Sequence, residues 1–260
     1  MSDYFRISGV KKSFHTREGL LNVLGGIDIE VSEKEFICIM GTSGCGKSTL
    51  MRIMEGIDQA DEGSVVLGDQ TLPKKPTKSF QKNFGIVFQS DNLLDWKSVY
   101  KNVEMPLSVY NIKGSINSKK RIMEVLELVG LTDFKDCLPH ELSGGMRQRA
   151  AIARALVTNP NVLMLDQPFG ALDAITRRML NVELLKIWKE TQKTCVMITN
   201  NVNEALYLGQ RIFIMSDSPA KIIKEIKVPF TYEERNGELS LNEEYLRLRA
   251  ELNRIVRGLK

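Results

Sequence analysis

Histidine is nearly absent from this chain: His15 and His140 are the two in 260 residues. Cysteine is scarce as well, with four scattered residues (Cys38, Cys45, Cys137, Cys195) and no CxxC pair. These shortages argue against a zinc site of ordinary spacing and against a disulfide framework, and they fit free thiols in a reducing compartment. No run of about 18 or more apolar residues occurs, so no segment reads as a membrane span. The opening stretch, MSDYFRISGVKK, lacks the apolar core of a signal peptide. Internal repeats and low-complexity stretches are missing too. Neither sign of charge is in large excess: 36 Lys+Arg against 32 Asp+Glu leave a net +4. That balance permits contact with nucleic acid or an anionic membrane without arguing for either.

What is present is an ordinary globular composition, 43% hydrophobic and 26% charged, enough for a core that needs no staples. The segment from Tyr4 to Val31 mixes short alternating stretches with a bend at Gly25–Gly26 and reads as an antiparallel β-layer. Phe36–Met40 (FICIM) is continuously apolar, the signature of a strand buried on both faces. Val162–Leu165 and Cys195–Ile198 read the same way. Leu50, Ile53, Met54 and Ile57 recur at helical spacing, and Asp173 to Lys189 reads as a helix capped by Asp173. From about Asp91 to Thr158 the pattern is helical, with Ile122, Met123, Leu126 and Val129 on one stripe. Asn159–Pro160 stops it. The expectation is an α/β core, residues 1–90 and 159–228, with an inserted helical lobe at 91–158. A short amphipathic tail at 229–260 follows, with Tyr245, Leu248, Leu252 and Ile255 at helical spacing.

Three motifs carry chemistry. Gly41-Thr42-Ser43-Gly44-Cys45-Gly46-Lys47-Ser48-Thr49 fits GxxxxGK[ST] between a buried strand and a periodic helix. Its glycines let the backbone wrap a phosphate, and the N–H groups and helix start supply positive potential. Lys47 is placed to reach the β- and γ-phosphates and Ser48 to bind Mg²⁺. Asp166 closes the VLML strand, so its carboxylate emerges at the carboxyl edge of a sheet, where it would hold the same ion. In Leu142-Ser143-Gly144-Gly145-Met146, the serine caps a helix whose first N–H groups two glycines leave open, a second anion site. Because the chain already has one complete phosphate cradle, this remote site suggests service to a different nucleotide.

On these motifs the sequence resembles the ATP-binding cassette (ABC) transporter ATPases, from Val10 to about Pro219, with the P-loop NTPase fold: a mostly parallel sheet with helices, an antiparallel β-layer and a helical lobe. The resemblance implies ATP and Mg²⁺ as ligands. It also implies two subunits, identical or paralogous, that sandwich two ATPs head to tail. In that arrangement Ser143, Gly144, Gly145 and Asp173 of one subunit contact the nucleotide held by the other. Phe14 would stack on adenine, and Gln89 would contact magnesium and couple the lobe. QPFGALDA with TRRML, and LLDWKSVYKNVEMPL after Gln89, look like importers of nitrate, sulfonate, taurine and related small anions. Such a subunit attaches to the cytoplasmic face of the membrane through permease subunits, with a solute-binding protein as an indirect partner and no nucleic acid expected. Leu93, Leu94 and Trp96 are the expected exposed docking patch for the permease.

Two positions depart from the family pattern. The family's catalytic glutamate corresponds to Gln167, which matches its shape but cannot take a proton. The exchange is isosteric, of the kind introduced to trap such motors with ATP bound, and introduced and natural origins both stay open. The family's switch histidine corresponds to Asn200, which can donate a hydrogen bond to the γ-phosphate but carries no charge. The implied activity is ATP hydrolysis coupled to import, impaired in this sequence. A non-hydrolytic cassette that uses ATP as a dimerisation ligand is an alternative, as is a soluble ABC ATPase acting on nucleic acid. The missing heptads between the P-loop and LSGG, and the single cassette, weigh against the latter.

Overall fold

The computed structural model describes residues 4–17, 19–73, 77–112 and 116–258. The chain divides into two compact units, Met1–Phe80 with Thr194–Lys260, and Gln81–Lys193.

In the first unit, β1 (Phe5–Thr16), β2 (Gly19–Val31), β4 (Glu62–Leu67) and β5 (Gln70–Thr71) form a four-stranded antiparallel sheet in the order β2-β1-β4-β5. Here the alternating stretches do what alternation dictates: Phe5, Ile7 and Val10 of β1 face inward with Ile27, Ile29 and Val31 of β2, while the opposite faces stay wet. β3 (Phe36–Met40) pairs in parallel with β8 (Thr194–Ile198) and β9 (Arg211–Met215), and β10 (Ile222–Lys227) closes on β9 antiparallel. Every residue of β3 and of β8 is buried, which is why Phe36–Met40 and Cys195–Ile198 run apolar without alternation. The helix α1 (Lys47–Met54) follows β3. α7 (Val202–Leu208) follows β8, and α8 (Glu243–Arg257) ends the described chain with Tyr245, Leu248 and Leu252 turned inward.

The short α2 (Lys78–Gln81) leads to the second unit. There, β6 (Phe84–Val87) pairs in parallel with β7 (Val162–Asp166). Between them in sequence come the helices α3 (Val99–Val109), α4 (Ile116–Leu128) and α5 (Gly144–Leu156), and after β7 comes α6 (Ala174–Thr191). α5 is alanine-rich and buries Ala150, Ala151, Ala153 and Ala155, small side chains that allow close approach of neighbouring elements. Asp173 caps α6, accepting from the N–H groups of Ile175 and Thr176 at 3.0 Å each. The fold is the expected α/β P-loop type, with parallel strands in each unit and the antiparallel layer on β1 and β2.

Candidate nucleotide site

The glycine loop lies between β3 and α1. Gly46 stands at the N-cap of α1 with φ +106°, and a Cβ there would meet Val23 Cγ1 at 2.7 Å. Only glycine takes that conformation in that space. Among the described residues no side chain caps α1, and its first turn holds no acidic residue, so the positive end of the helix stays open to an anion. Lys47 is 5% exposed. Its ammonium donates to the carbonyls of Gly41 at 2.9 Å and Thr42 at 2.6 Å, so the loop itself fixes the cation at its centre. Ser43, Gly44 and Ser48 are exposed along the loop, with Thr42, Gly46 and Thr49 half-buried. Cys45 is buried beside Lys47, its sulfur 3.8 Å from the ammonium, which marks it as part of the loop's packing.

One supporting contact was invisible in the motif. The Thr42 hydroxyl donates to the carboxylate of Asp217, just past β9. A partner so remote in sequence leaves no local signal.

Phe14, near the end of β1, is 39% exposed. The Lys12 ammonium stands 5.4 Å from the centre of its ring. An exposed aromatic face beside a cation is a surface on which a base can stack. Asn200 lies just beyond β8. Thr199 N donates to Ile39 O at 3.2 Å, so Asn200 follows a residue bonded to β3, the strand that leads into the glycine loop.

In the second unit, Asp166 is half-buried at the end of β7, followed by Gln167 with φ +46°. Left-handed backbone is uncommon outside glycine; here it turns the chain so that Gly170 N donates to Gln167 O at 2.9 Å. A Cβ on Gly170 would lie 3.4 Å from the Gln89 side-chain nitrogen and 3.7 Å from Gln167 Cβ. The structure thus brings Gln89 and Gln167 to one place.

Ser143 is exposed at the N-cap of α5, its hydroxyl oxygen accepting from Met146 N at 3.2 Å. Cβ atoms on Gly144 and Gly145 would meet Leu172 Cδ2 and Thr176 Cγ2, each at 3.1 Å, so the signature turn is pressed against the loop and helix start that carry Asp173. Hydrogen bonds from the Thr176 hydroxyl and N–H hold the Asp173 carboxyl below the usual carboxylate range.

Residues 88–92, on both sides of Gln89, are anchored to the signature helix by three α5 side chains. Gln148 donates to Phe88 O at 3.3 Å, Arg147 pairs with Asp91 at 3.1 Å, and Arg154 donates to the carbonyls of Asp91 and Asn92 at 2.5 Å each. These contacts leave no local signal in the sequence, because their partners lie 56 to 63 residues away.

The expected docking patch requires a correction. Leu93 is 8% exposed and Leu94 half-buried, whereas Trp96 is 75% exposed. Asn102, itself buried, accepts from Leu94 N at 2.7 Å and donates to Leu94 O and Lys97 O. That clamp folds the loop back and turns Leu93 into the lobe, leaving Trp96 as the exposed apolar group.

A family model described as ABC transporter matches residues 24–170. The chain belongs to the ABC transporter family. Among its relatives, the nitrate import ATP-binding protein NrtD of Synechococcus elongatus is 40% identical over 244 residues, covering 93% of this chain and 87% of NrtD. The aliphatic sulfonates import ATP-binding protein SsuB of Bacillus cereus is 39% identical over 237 residues, covering 91% of each. Of solved structures, the dimeric bacterial ABC transporter cassette MJ0796 superposes with a TM-score of 0.75 at 33% identity, over 87% of this chain and 100% of that one. The same cassette is known as a dimer in a post-hydrolysis state bound to ADP and Pi. Members of this family bind ATP, and the open helix start and buried lysine of the glycine loop are the parts of this ABC chain suited to its phosphates.

Proposed function

We propose that this chain is the ATP-binding subunit of an ABC importer, acting as a head-to-tail pair and slowed at the chemical step by Gln167. The observation that carries the reading is the exposed Ser143 cap. A complete phosphate cradle already stands at Gly41–Thr49, and a second open helix start packed against the Asp173 loop is suited to the nucleotide of another copy. The likeness to nitrate and sulfonate import proteins supports the importer assignment. The Ser48 hydroxyl, the Gln89 carbonyl and the Asp166 carboxylate are each oxygens of the hard type that Mg²⁺ takes, and these residues would hold it. When bound, the ion neutralises charge on the phosphates. Phe14 stacks on the base, Lys47 meets the β- and γ-phosphates, and Asn200 orients the terminal phosphate by a neutral hydrogen bond. Attachment to the membrane is peripheral, through a permease that Trp96 contacts; among the described residues no helix is long and apolar enough to cross a bilayer.

Gln167 occupies the position from which a carboxylate would take the proton of the attacking water. An amide has no basicity for that task, and the loss of a positioned base costs ~10²–10⁴-fold in rate. Gln167→Glu is therefore expected to raise turnover ~10²-fold or more with little change in ATP affinity. Asn200→His is expected to do much less, because residue 200 orients the phosphate and takes no proton. Steady-state hydrolysis by the two variants decides the assignment: a large gain from histidine with none from glutamate contradicts it. Gln167 and Asn200 together favour one second reading, a cassette that uses ATP only to dimerise, and no gain from either variant would support it.

A further inference from the structure

Asn200 has a weak instrument for its proposed task. A neutral amide attracts a phosphate only through hydrogen bonds, which weaken steeply with misalignment, whereas a charged side chain also acts over distance. The placement of residue 200 is therefore critical in this chain, and the question becomes what fixes it.

The residues on either side of Asn200 are held by a local network. Thr199 Oγ1 donates to Glu204 at 2.5 Å and accepts from Asn201 N at 3.0 Å, and Asn201 caps α7 by accepting from Asn203 N and Glu204 N at 2.9 and 3.3 Å. That network is as steady as α7. At seven residues, α7 is too short to persist by itself, so packing must locate it. β3 packs along it, and the C-terminal tail holds it at both ends. At the far end, the Arg235 guanidinium, 4% exposed, donates to Tyr207 O at 2.7 Å, Gly209 O at 2.9 Å and Phe230 O at 3.2 Å. At the near end, the buried Tyr245 of α8 donates its hydroxyl to Asn203 Oδ1 at 3.2 Å, with its ring 6.1 Å from that of Phe230.

We propose that the tail is a positioning element for nucleotide recognition: Tyr245, through Asn203 and the Asn201 cap, sets the turn that presents Asn200 to the γ-phosphate. The inference rests on the reading that Asn200 meets that phosphate, and it makes Tyr245 a positioning residue that touches no nucleotide.

Tyr245→Phe removes the hydroxyl and keeps the ring. The test is calorimetric titration of the full chain with MgATP and with MgADP, for the parent, Tyr245→Phe, Asn200→Ala and the double variant. Slow turnover at Gln167 keeps the ATP titration close to equilibrium. Asn200→Ala is expected to lower the preference for ATP over ADP by about tenfold, the scale of one hydrogen bond to a charged group. Tyr245→Phe is expected to lower it by about threefold, as a misaligned hydrogen bond loses part of its strength, with MgADP affinity and thermal midpoint near the parent's. The double variant should be no worse than Asn200→Ala, since two changes on one path do not add. Asn203→Ala, which deletes the acceptor instead of the donor, should repeat the Tyr245→Phe result. A loss shared equally by ATP and ADP, no loss, or an additive double variant overturns the tail's role and leaves Asn200 in place. An unchanged ATP preference in Asn200→Ala overturns the γ-phosphate reading and this inference with it.

Discussion

At position 46 the backbone has no room for a side chain, and one position later a lysine ammonium is buried against two carbonyls. This contrast explains why the glycine loop was legible from its letters. Wrapping a phosphate needs glycine conformations and a cation within one short stretch, so the requirement is written contiguously. Asp217 and Leu93 were not legible for the opposite reason. The Asp217 contact to Thr42 comes from 175 residues away, and the burial of Leu93 depends on the Asn102 clamp and not on its own hydropathy. Phe14 stands between these cases, since its type allowed a stacking role and its exposure decided that a face is available. Its replacement by alanine should weaken nucleotide binding by about 1–3 kcal/mol, the range for a base stacked on an aromatic ring. Titrations should find the same loss for MgATP and MgADP, because stacking ignores the phosphate count. An unchanged affinity for both would remove Phe14 from the site.

Among the elements, strands with both faces covered were readable because continuous burial leaves a continuous apolar run, as in Phe36–Met40 and Cys195–Ile198. Helix starts were readable where a capping residue precedes an apolar period, as at Asp173 and α6. What joins elements was not readable: nothing local announces that Arg147, Gln148 and Arg154 tie residues 88–92 to the signature helix. The Asp173 cap also titrates. Thr176, by its hydroxyl and N–H, depresses the carboxyl below its unfolded value. The contribution of the cap is therefore present in full above the ordinary aspartate range, around pH 4, and is lost as pH falls through the lower folded value. Asp173→Asn caps comparably but does not titrate. Thermal midpoints of the two proteins should agree near neutral pH and diverge in acid, with the parent falling faster. Parallel curves down to acid pH would show that the charge on Asp173 adds nothing to α6.

For the molecule as a whole, the phosphate cradle belongs to one compact unit and the signature cap to the other. The family fold was legible because each unit carries one of these motifs. The partner was not, because a mild net charge of +4 and one exposed tryptophan name no solute and no permease. The account instead commits to a second copy of the chain, each Ser143 serving the ATP held by the other's Lys47, with Gln167 delaying the release that hydrolysis brings. Sedimentation velocity with and without MgATP tests this most directly. The chain as it stands should double its sedimenting mass in MgATP and return to a single copy in MgADP, and Gln167→Glu should shorten the life of the double species. A chain that stays single at saturating MgATP would contradict the account.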